Sequence, residues 1–469
     1  MKKLINPTNC TIEQMEGDML TPISIFQKIS GRKKFLLESS LKYENTGRYS
    51  IIGADPVLEI KGFGQQKNKI ITEKGEELVT GKTLDIVKEL LPQYGEEDGV
   101  FPFVGGAVGY VGYDTIRQYE NIGAIPGKDL EMPDVHLMFY EQVIIYDHLE
   151  QKVYLAATPI LPETTQHTLK KQNEKRRKEL MAEFHSEERK GVVLSSFKAS
   201  TSKQKFIENV KKAKEYISKG DIFQVVLSQR MEASFEGDPF SFYRKLRISN
   251  PTPYMYYLDF EDYVVAGSSP ESLVKAKQSV ITTNPIAGTR PRGKTEAEDQ
   301  VLAQGLIADE KELAEHRMLV DLGRNDLGKI CTFGTVNIHK YMEIEKFKHV
   351  MHLVSEVSGD LAEKHKPQDA LISCLPAGTV SGAPKIRAME IINELESEKR
   401  GVYSGAIGYF SVNGNMDFAL AIRTMVIKEN RAYIQAGAGI VYDSVPEKEY
   451  EETIHKLKTF LEDPDDFIN

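Results

Sequence analysis

Glu312 and Glu315 stand three residues apart, and Glu449 and Glu452 repeat that spacing near the C-terminus, with Lys456 four residues further on. Residues three apart on a helix share a face, so two helices could bring four carboxylates together. Such a set suits a hard divalent cation such as Mg²⁺, which takes oxygen ligands and keeps waters for a substrate. The same spacing also describes solvated helix faces in a chain with 69 acidic residues. Glu452 and His455 form a Glu-x-x-His pair, but a di-iron site needs a four-helix bundle with a second such motif. The surrounding sequence reads as sheet.

Other clusters suggest anion binding. In "LPAGTVSGAPKIRAMEI", Gly378, Thr379, Ser381 and Gly382 form a loop, and Pro384 suits the first turn of a helix. Bare glycines before a helix offer N–H groups to an anion, and equally make a capping turn. The spacing to Lys385 is wrong for a P-loop. In "QAGAGIV", Gly437 and Gly439 at a strand end let a ligand approach the main chain. Arg423, in "AIRTMV", is flanked by apolar strand residues and needs a partner, either a carboxylate ligand or an internal salt bridge. In "NPIAGTRPRG", a small Ala287 precedes Gly288 and Thr289, and Arg290 and Arg292 follow. His349 and His352 would lie on opposite faces of a strand, so they do not read as a metal pair. Cys10, Cys331 and Cys374 form no C-x-x-C and no G-x-C-x-G elbow, so neither a thiolate zinc site nor a glutaminase nucleophile is expected.

The elements that must position these residues are mixed. The chain has 469 residues, 41% hydrophobic and 28% charged, with net charge −9. This composition indicates a globular protein and argues against a nucleic-acid partner. Nothing resembles a signal peptide or a membrane span, so a cytoplasmic enzyme is expected. The first part reads as β-rich, and the Gly-rich "FPFVGGAVGYVGYD" reads as a strand closely approached by another backbone. The charged stretch "PETTQHTLKKQNEKRRKELMAEFHSEERKG" reads as a solvated helix at a seam between regions 1–190 and 195–469. Phe206, Val210, Ala213 and Ile217 mark a helix ended by Gly220. "FQVVLSQRMEASF", "YMYYLDF", "YVVAG" and "SVITTN" read as strands, and "LAQGLIADEKELAEHRMLVDLGRND" as one long helix. Asn413-Gly414 signals a two-residue hairpin, and Ser444 a cap for the last helix. Strands with hairpins and helices give an α+β class.

Taken together, "PIAGTRPRG", "DEKELAEHRMLVDLGRNDLG", "HVMHLVS", "GTVSGAPKIRAM", "YSGAIGY", "AIRTM" and "QAGAGIVYDSVPEKEYEET" resemble the chorismate-utilising enzymes, in particular the anthranilate synthase component I family. The resemblance implies two large antiparallel β-sheets packed face to face, with helices outside and the site between. It implies Mg²⁺ held by Glu315 and Glu452, with Glu312 and Glu449 behind them. Arg423, Tyr403 and the main chain of Gly437, Ala438 and Gly439 then clamp the enolpyruvyl carboxylate. Gly288 and Thr289 lie over the ring, Thr379 lines the site, Glu271 is the acid for the departing hydroxyl, and His352 assists loss of pyruvate.

Family members differ in what adds to the ring. Where water-adding relatives carry a lysine base, this chain has Gln224; where aminodeoxychorismate synthases carry a nucleophilic lysine, it has Ala287. Both favour direct amination by ammonia to give anthranilate. The alternatives are an aminodeoxychorismate synthase and a non-catalytic tryptophan-binding paralogue. The implied partner is a glutamine amidotransferase subunit in a hetero-oligomer. "FLLESS" and "NPTPYMYY" resemble the family's tryptophan inhibitor site, at Glu38, Ser39, Pro253, Tyr254 and Met255.

Overall fold

The computed structural model describes residues 10–39, 47–94, 101–127, 130–183, 191–346 and 350–461. His349 lies outside them. Two antiparallel sheets, of 13 and 12 strands among the described residues, make up the molecule. One runs from Thr11–Glu16 through Phe35–Glu38, Tyr254–Asp259 and Thr424–Lys428 to Arg431–Ile440 and Gln224–Glu236. The other runs from Ile286–Pro291 and Val350–Asp360 through Ser272–Lys277, Met416–Leu420 and Gly106–Val111 to Gly75–Thr80. Each sheet takes strands from both ends of the chain.

The period-2 alternation of the strands builds the layers. Phe35, Tyr256 and Leu258 face the core between the sheets, where they meet Val108, Leu137, Phe139 and Phe418. Their neighbours Leu36, Met255 and Tyr257 face outward and pack with Phe26, Phe240 and Tyr243 of the covering helices Pro22–Lys28 and Pro239–Ser249. A third cluster seats helices Lys203–Ser218 and Lys385–Leu395 on Val225, Leu227, Ala438 and Ile440. The close approach expected of the Gly-rich segment is present: a Cβ on Gly109 would overlap the His136 carbonyl of the adjoining strand. No described helix is long and apolar enough to cross a membrane.

Several local expectations are corrected. The long helix is two, Glu296–Ile307 and Glu310–Gly328, because the Asp309 carboxylate caps the backbone N–H groups of Lys311 and Glu312. The charged helix, Gln166–Met181, is not solvated all round: Leu169, Asn173, Arg176 and Leu180 are buried, and Arg176 pairs with Asp55 and Glu179. The hairpin at Asn413-Gly414 has three residues between the bonded Ser411 and Asn415, with only Gly414 at positive φ. Pro384 is the N-cap rather than a first-turn residue, because Gly382–Ala383 is drawn into pairing with Gln224 and Val225. Val445, not Ser444, caps the last helix, Pro446–Phe460, since the Ser444 hydroxyl accepts from the Val441 N–H.

Candidate active site

Gly288 is the extra residue of a bulge. The strand Ile286–Pro291 pairs Ala287 with Leu353 and Thr289 with His352, and the register shifts between them. Gly288 takes φ +70, and a Cβ there would lie 3.2 Å from Glu312 Oε2. A side chain would therefore be strained and would press on a carboxylate. The bulge turns the Gly288 carbonyl and the Thr289 hydroxyl toward His352 Nδ1, at 3.1 and 3.0 Å. Nδ1–H donates to the carbonyl, which puts the lone pair on Nε2. Burial lowers the pKa of His352, with Arg423 pushing the same way, so the ring is neutral.

Glu271 lies between the strands Tyr263–Ser269 and Ser272–Lys277. Burial pushes its carboxyl up to about 7; the Thr379 hydroxyl, which donates to Oε1 at 2.8 Å, and the charges of Lys456 and Arg423 oppose this. Such a group holds a proton near neutrality. Thr379 sits on the single 3-10 turn Gly378–Val380, and its hydroxyl reaches Glu271 from there.

Arg423 does not sit within a strand. It occupies the corner before Thr424–Lys428 at φ +48, a strained conformation for a non-glycine residue. Its guanidinium makes no ion pair among the described residues, which removes the internal salt bridge as its partner; its charge acts on Glu271 and His352 instead. A cation held this way suits an anionic ligand.

The four carboxylates project from helices Glu310–Gly328 and Pro446–Phe460, near enough for their charges to act on one another. Burial raises the pKa of Glu315, and repulsion from Glu312 and Glu452 adds to it, against a 3.2 Å bond from Gln224 Nε2. Burial likewise raises Glu449, with Glu452 adding to it. Each carboxylate has a holder: Arg290 on Glu312 at 3.2 Å, Gln224 on Glu315, Ser444 on Glu449, and Lys456 on Glu452 at 2.8 Å. Among the described residues no three acidic, His or Cys side chains are gathered closely enough to hold an ion. The donor chemistry nonetheless fits a hard cation: carboxylate charge lies near Gln224 Oε1, a buried oxygen with no hydrogen-bond partner among the described residues.

Gly437 and Gly439 leave room for neighbours. The Tyr403 hydroxyl lies 2.9 Å from where a Gly437 Cβ would stand, and Gln224 Nε2 2.8 Å from where one on Gly439 would stand. Ala438 between them turns to the outer core. Lys456 Nζ donates to the Gly437 carbonyl at 2.9 Å. Arg290 and Arg292 face no open anion site: Arg290 bonds Asp309 and Glu312, and Arg292 bonds Asp299.

On the first sheet, Glu38 stands opposite Met255. Its carboxylate accepts from Tyr243 and Arg247, each at 2.6 Å. The next hydroxyl, Ser39 Oγ, is buried and has no hydrogen-bond partner among the described residues. Pro253 precedes this pairing, and Tyr254 points the other way, to Asp417 of the second sheet at 3.0 Å. Ser268 joins the two regions: its hydroxyl bonds the Asn250 carbonyl at 2.7 Å, and its N–H the Arg423 carbonyl at 3.0 Å.

Three groups escaped the sequence reading. Lys456 was noted only as a helix neighbour, Lys385 forms a buried pair with Asp326 at 2.5 Å, and Arg400 is wholly enclosed with Glu396. Lys385 and Arg400 both lie in quoted or adjoining motifs, but only contacts reveal that they are buried.

The fold belongs to a known class: residues 33–462 match the chorismate binding enzyme family, and the chain belongs to it. It is 46% identical to the anthranilate synthase component 1 of Acetivibrio thermocellus, over 98% of this chain and 96% of that one. It is 44% identical to the protein of that name from Lactococcus lactis, over 96% and 98%. The crystal structure of anthranilate synthase component I from Streptococcus pneumoniae superposes with a TM-score of 0.82 at 45% identity, over 95% and 98% of the two chains. The expected fold and family are borne out.

Proposed function

We propose that the chain is the large component of an anthranilate synthase, aminating chorismate with ammonia and releasing pyruvate. The observation that carries this reading is the pairing of a protonatable carboxyl with an unpaired cation: Glu271, raised to about 7 and held by Thr379, beside Arg423. Near-full-length identity of 44–46% to proteins named anthranilate synthase component 1 supports the choice of product.

Chorismate is a dianion with a poor leaving hydroxyl. Arg423, the Tyr403 hydroxyl and the main chain of Gly437 to Gly439 bind its enolpyruvyl carboxylate. Glu315 and Glu452, backed by Glu312 and Glu449, are the residues to hold Mg²⁺, which would offset the ring carboxylate charge. Gly288 and Thr289 cover the ring. Glu271 donates its proton to the departing hydroxyl as ammonia attacks, so water leaves. His352, neutral with its lone pair on Nε2, takes the ring proton as the enolpyruvyl group departs. Chorismate and ammonia thus become anthranilate, pyruvate and water. Ala287 offers no amine for a covalent adduct and Gln224 cannot deprotonate water, which supports direct attack by ammonia.

The partner is a component 2 that hydrolyses glutamine, since no cysteine of this chain sits in a nucleophile elbow. Glu38, Ser39 and Met255, with the main chain of Pro253 and Tyr254, form a tryptophan inhibitor site. Its coupling to the cleft is supported by the Ser268 link to Arg423.

The test is one assay: purified chain, chorismate, Mg²⁺ and an ammonium salt at alkaline pH, followed by anthranilate fluorescence. Anthranilate, suppressed by added tryptophan, is expected. Aminodeoxychorismate as product would overturn the reading in favour of the folate branch, and absence of turnover with or without component 2 in favour of a sensor.

A further inference from the structure

Arg400 is only 4% exposed. Its guanidinium has five N–H groups, and each finds an acceptor. Nε and Nη2 donate to Glu396 at 2.9 and 2.6 Å. Nη2 also donates to the Val226 carbonyl at 2.7 Å. Nη1 donates to the Val380 carbonyl at 2.7 Å and to Ser404 Oγ at 3.4 Å. Its Cζ lies 4.9 Å from the Tyr113 ring centroid and 5.7 Å from that of Tyr403. Glu396 is tied in turn to the N–H and hydroxyl of Ser228, at 2.8 and 2.9 Å.

The acceptors share a location. Val380 follows Thr379, the residue that holds Glu271. Val226 stands opposite Gly439 in the strand pair. Ser404 follows Tyr403, whose hydroxyl lies against Gly437. Glu396 alone would balance the charge of Arg400. A buried ion pair adds little net stability over a well-packed apolar pair, so stability alone does not account for it. A planar fork that bonds the main chain of two separate segments, at Val226 and Val380, as well as the Glu396 and Ser404 side chains does fix geometry.

We propose that Arg400 is a positioning residue: without touching substrate, it sets Thr379, Gly439 and Tyr403 at fixed spacing behind the cleft. This rests on the site assignment made above. Lysine keeps the charge but offers three donors from one point, so it cannot hold Glu396 and both carbonyls together. Once Val380 is released, Thr379 loosens from Glu271. That hydrogen bond favours the ionised carboxylate, so its loss raises the Glu271 pKa further and moves the alkaline limb of kcat upward.

The test compares Arg400→Lys with the double variant Arg400→Met, Glu396→Gln, which leaves no buried charge unpaired. Turnover is measured against pH at saturating chorismate and free ammonia, and folding by thermal melting. Both variants are expected to melt near the wild type and to lose about tenfold or more in kcat. Their alkaline limb should move in the same direction as that of Thr379→Val. A folded Arg400→Lys with wild-type kcat and an unmoved limb overturns the proposal. So does a loss that only follows melting in both variants, because a purely structural pair would give that. Glu271→Gln, assayed alongside, separates the two levels: full turnover there overturns the site assignment itself, and the proposal with it.

Discussion

Glu271 concentrates the chemistry of the site at the residue scale. Its carboxyl is raised to about 7 by burial, against the pull of Thr379, Lys456 and Arg423. A general acid must be protonated, so kcat/KM for chorismate at saturating ammonia should fall as pH rises through this value. Removing the Thr379 hydroxyl withdraws a bond that favours the ionised form, so Thr379→Val should move the falling limb to higher pH. Glu271→Gln should cost about 10²-fold or more in kcat. A pH–rate profile of the three proteins checks this, and an unmoved limb in Thr379→Val would sink the assignment. The sequence identified Glu271 only through resemblance. "GSSPES" carries no sign of burial, and burial is what makes the carboxyl an acid.

At the scale of elements, the four carboxylates depend on two helices more than a hundred residues apart in the chain. Their i, i+3 spacing on two helices was legible. The break at Asp309 was not, because the apolar and helix-favouring pattern runs across it. That break matters: Asp309 caps the second helix and accepts from Arg290 at 2.8 Å, which ties the carboxylate helix to the Gly288 bulge. Glu452 is held by Lys456 and repels Glu315. Glu452→Ala should therefore weaken Mg²⁺ binding at least about tenfold, as one charged ligand is lost. Calorimetric titration of the substrate-free protein with Mg²⁺ reads this directly; unchanged affinity would refute the metal assignment.

Across the whole molecule, the two sheets are joined by polar as well as apolar contacts. His136, fully buried, bonds Glu59 at 2.9 Å on its own sheet and the Tyr263 hydroxyl of the other sheet at 2.6 Å. Tyr110 adds a 3.0 Å contact to Tyr263. Burial lowers His136 to about 4, although Glu59 opposes this. The sign follows from linkage: as pH falls below the ordinary histidine value near 6.5, the unfolded chain takes up a proton that the folded one refuses. The contribution of His136 to stability should drop by roughly 2 kcal/mol between pH 7 and pH 5, while Glu271, raised to about 7, contributes in the opposite sense over the same range. Urea unfolding at the two pH values measures it. The contribution of His136 is the difference in that change between the wild type and His136→Gln, and an equal change in the two proteins would exclude it.

By itself the sequence determined the alternating strands, the clustered glycines, the paired acids on helical faces and, through its motifs, the family. These are local properties, carried by side-chain period and by residue type. Only the tertiary structure decided which groups are buried and which meet. It placed Arg423 at a strained corner with no ion pair among the described residues, tied Arg290 and Arg292 into ion pairs, and enclosed Arg400. Arginine has one sequence symbol, but its role follows from its surroundings. The acceptors around each guanidinium come from segments far apart in the chain, and folding alone brings them within hydrogen-bond reach.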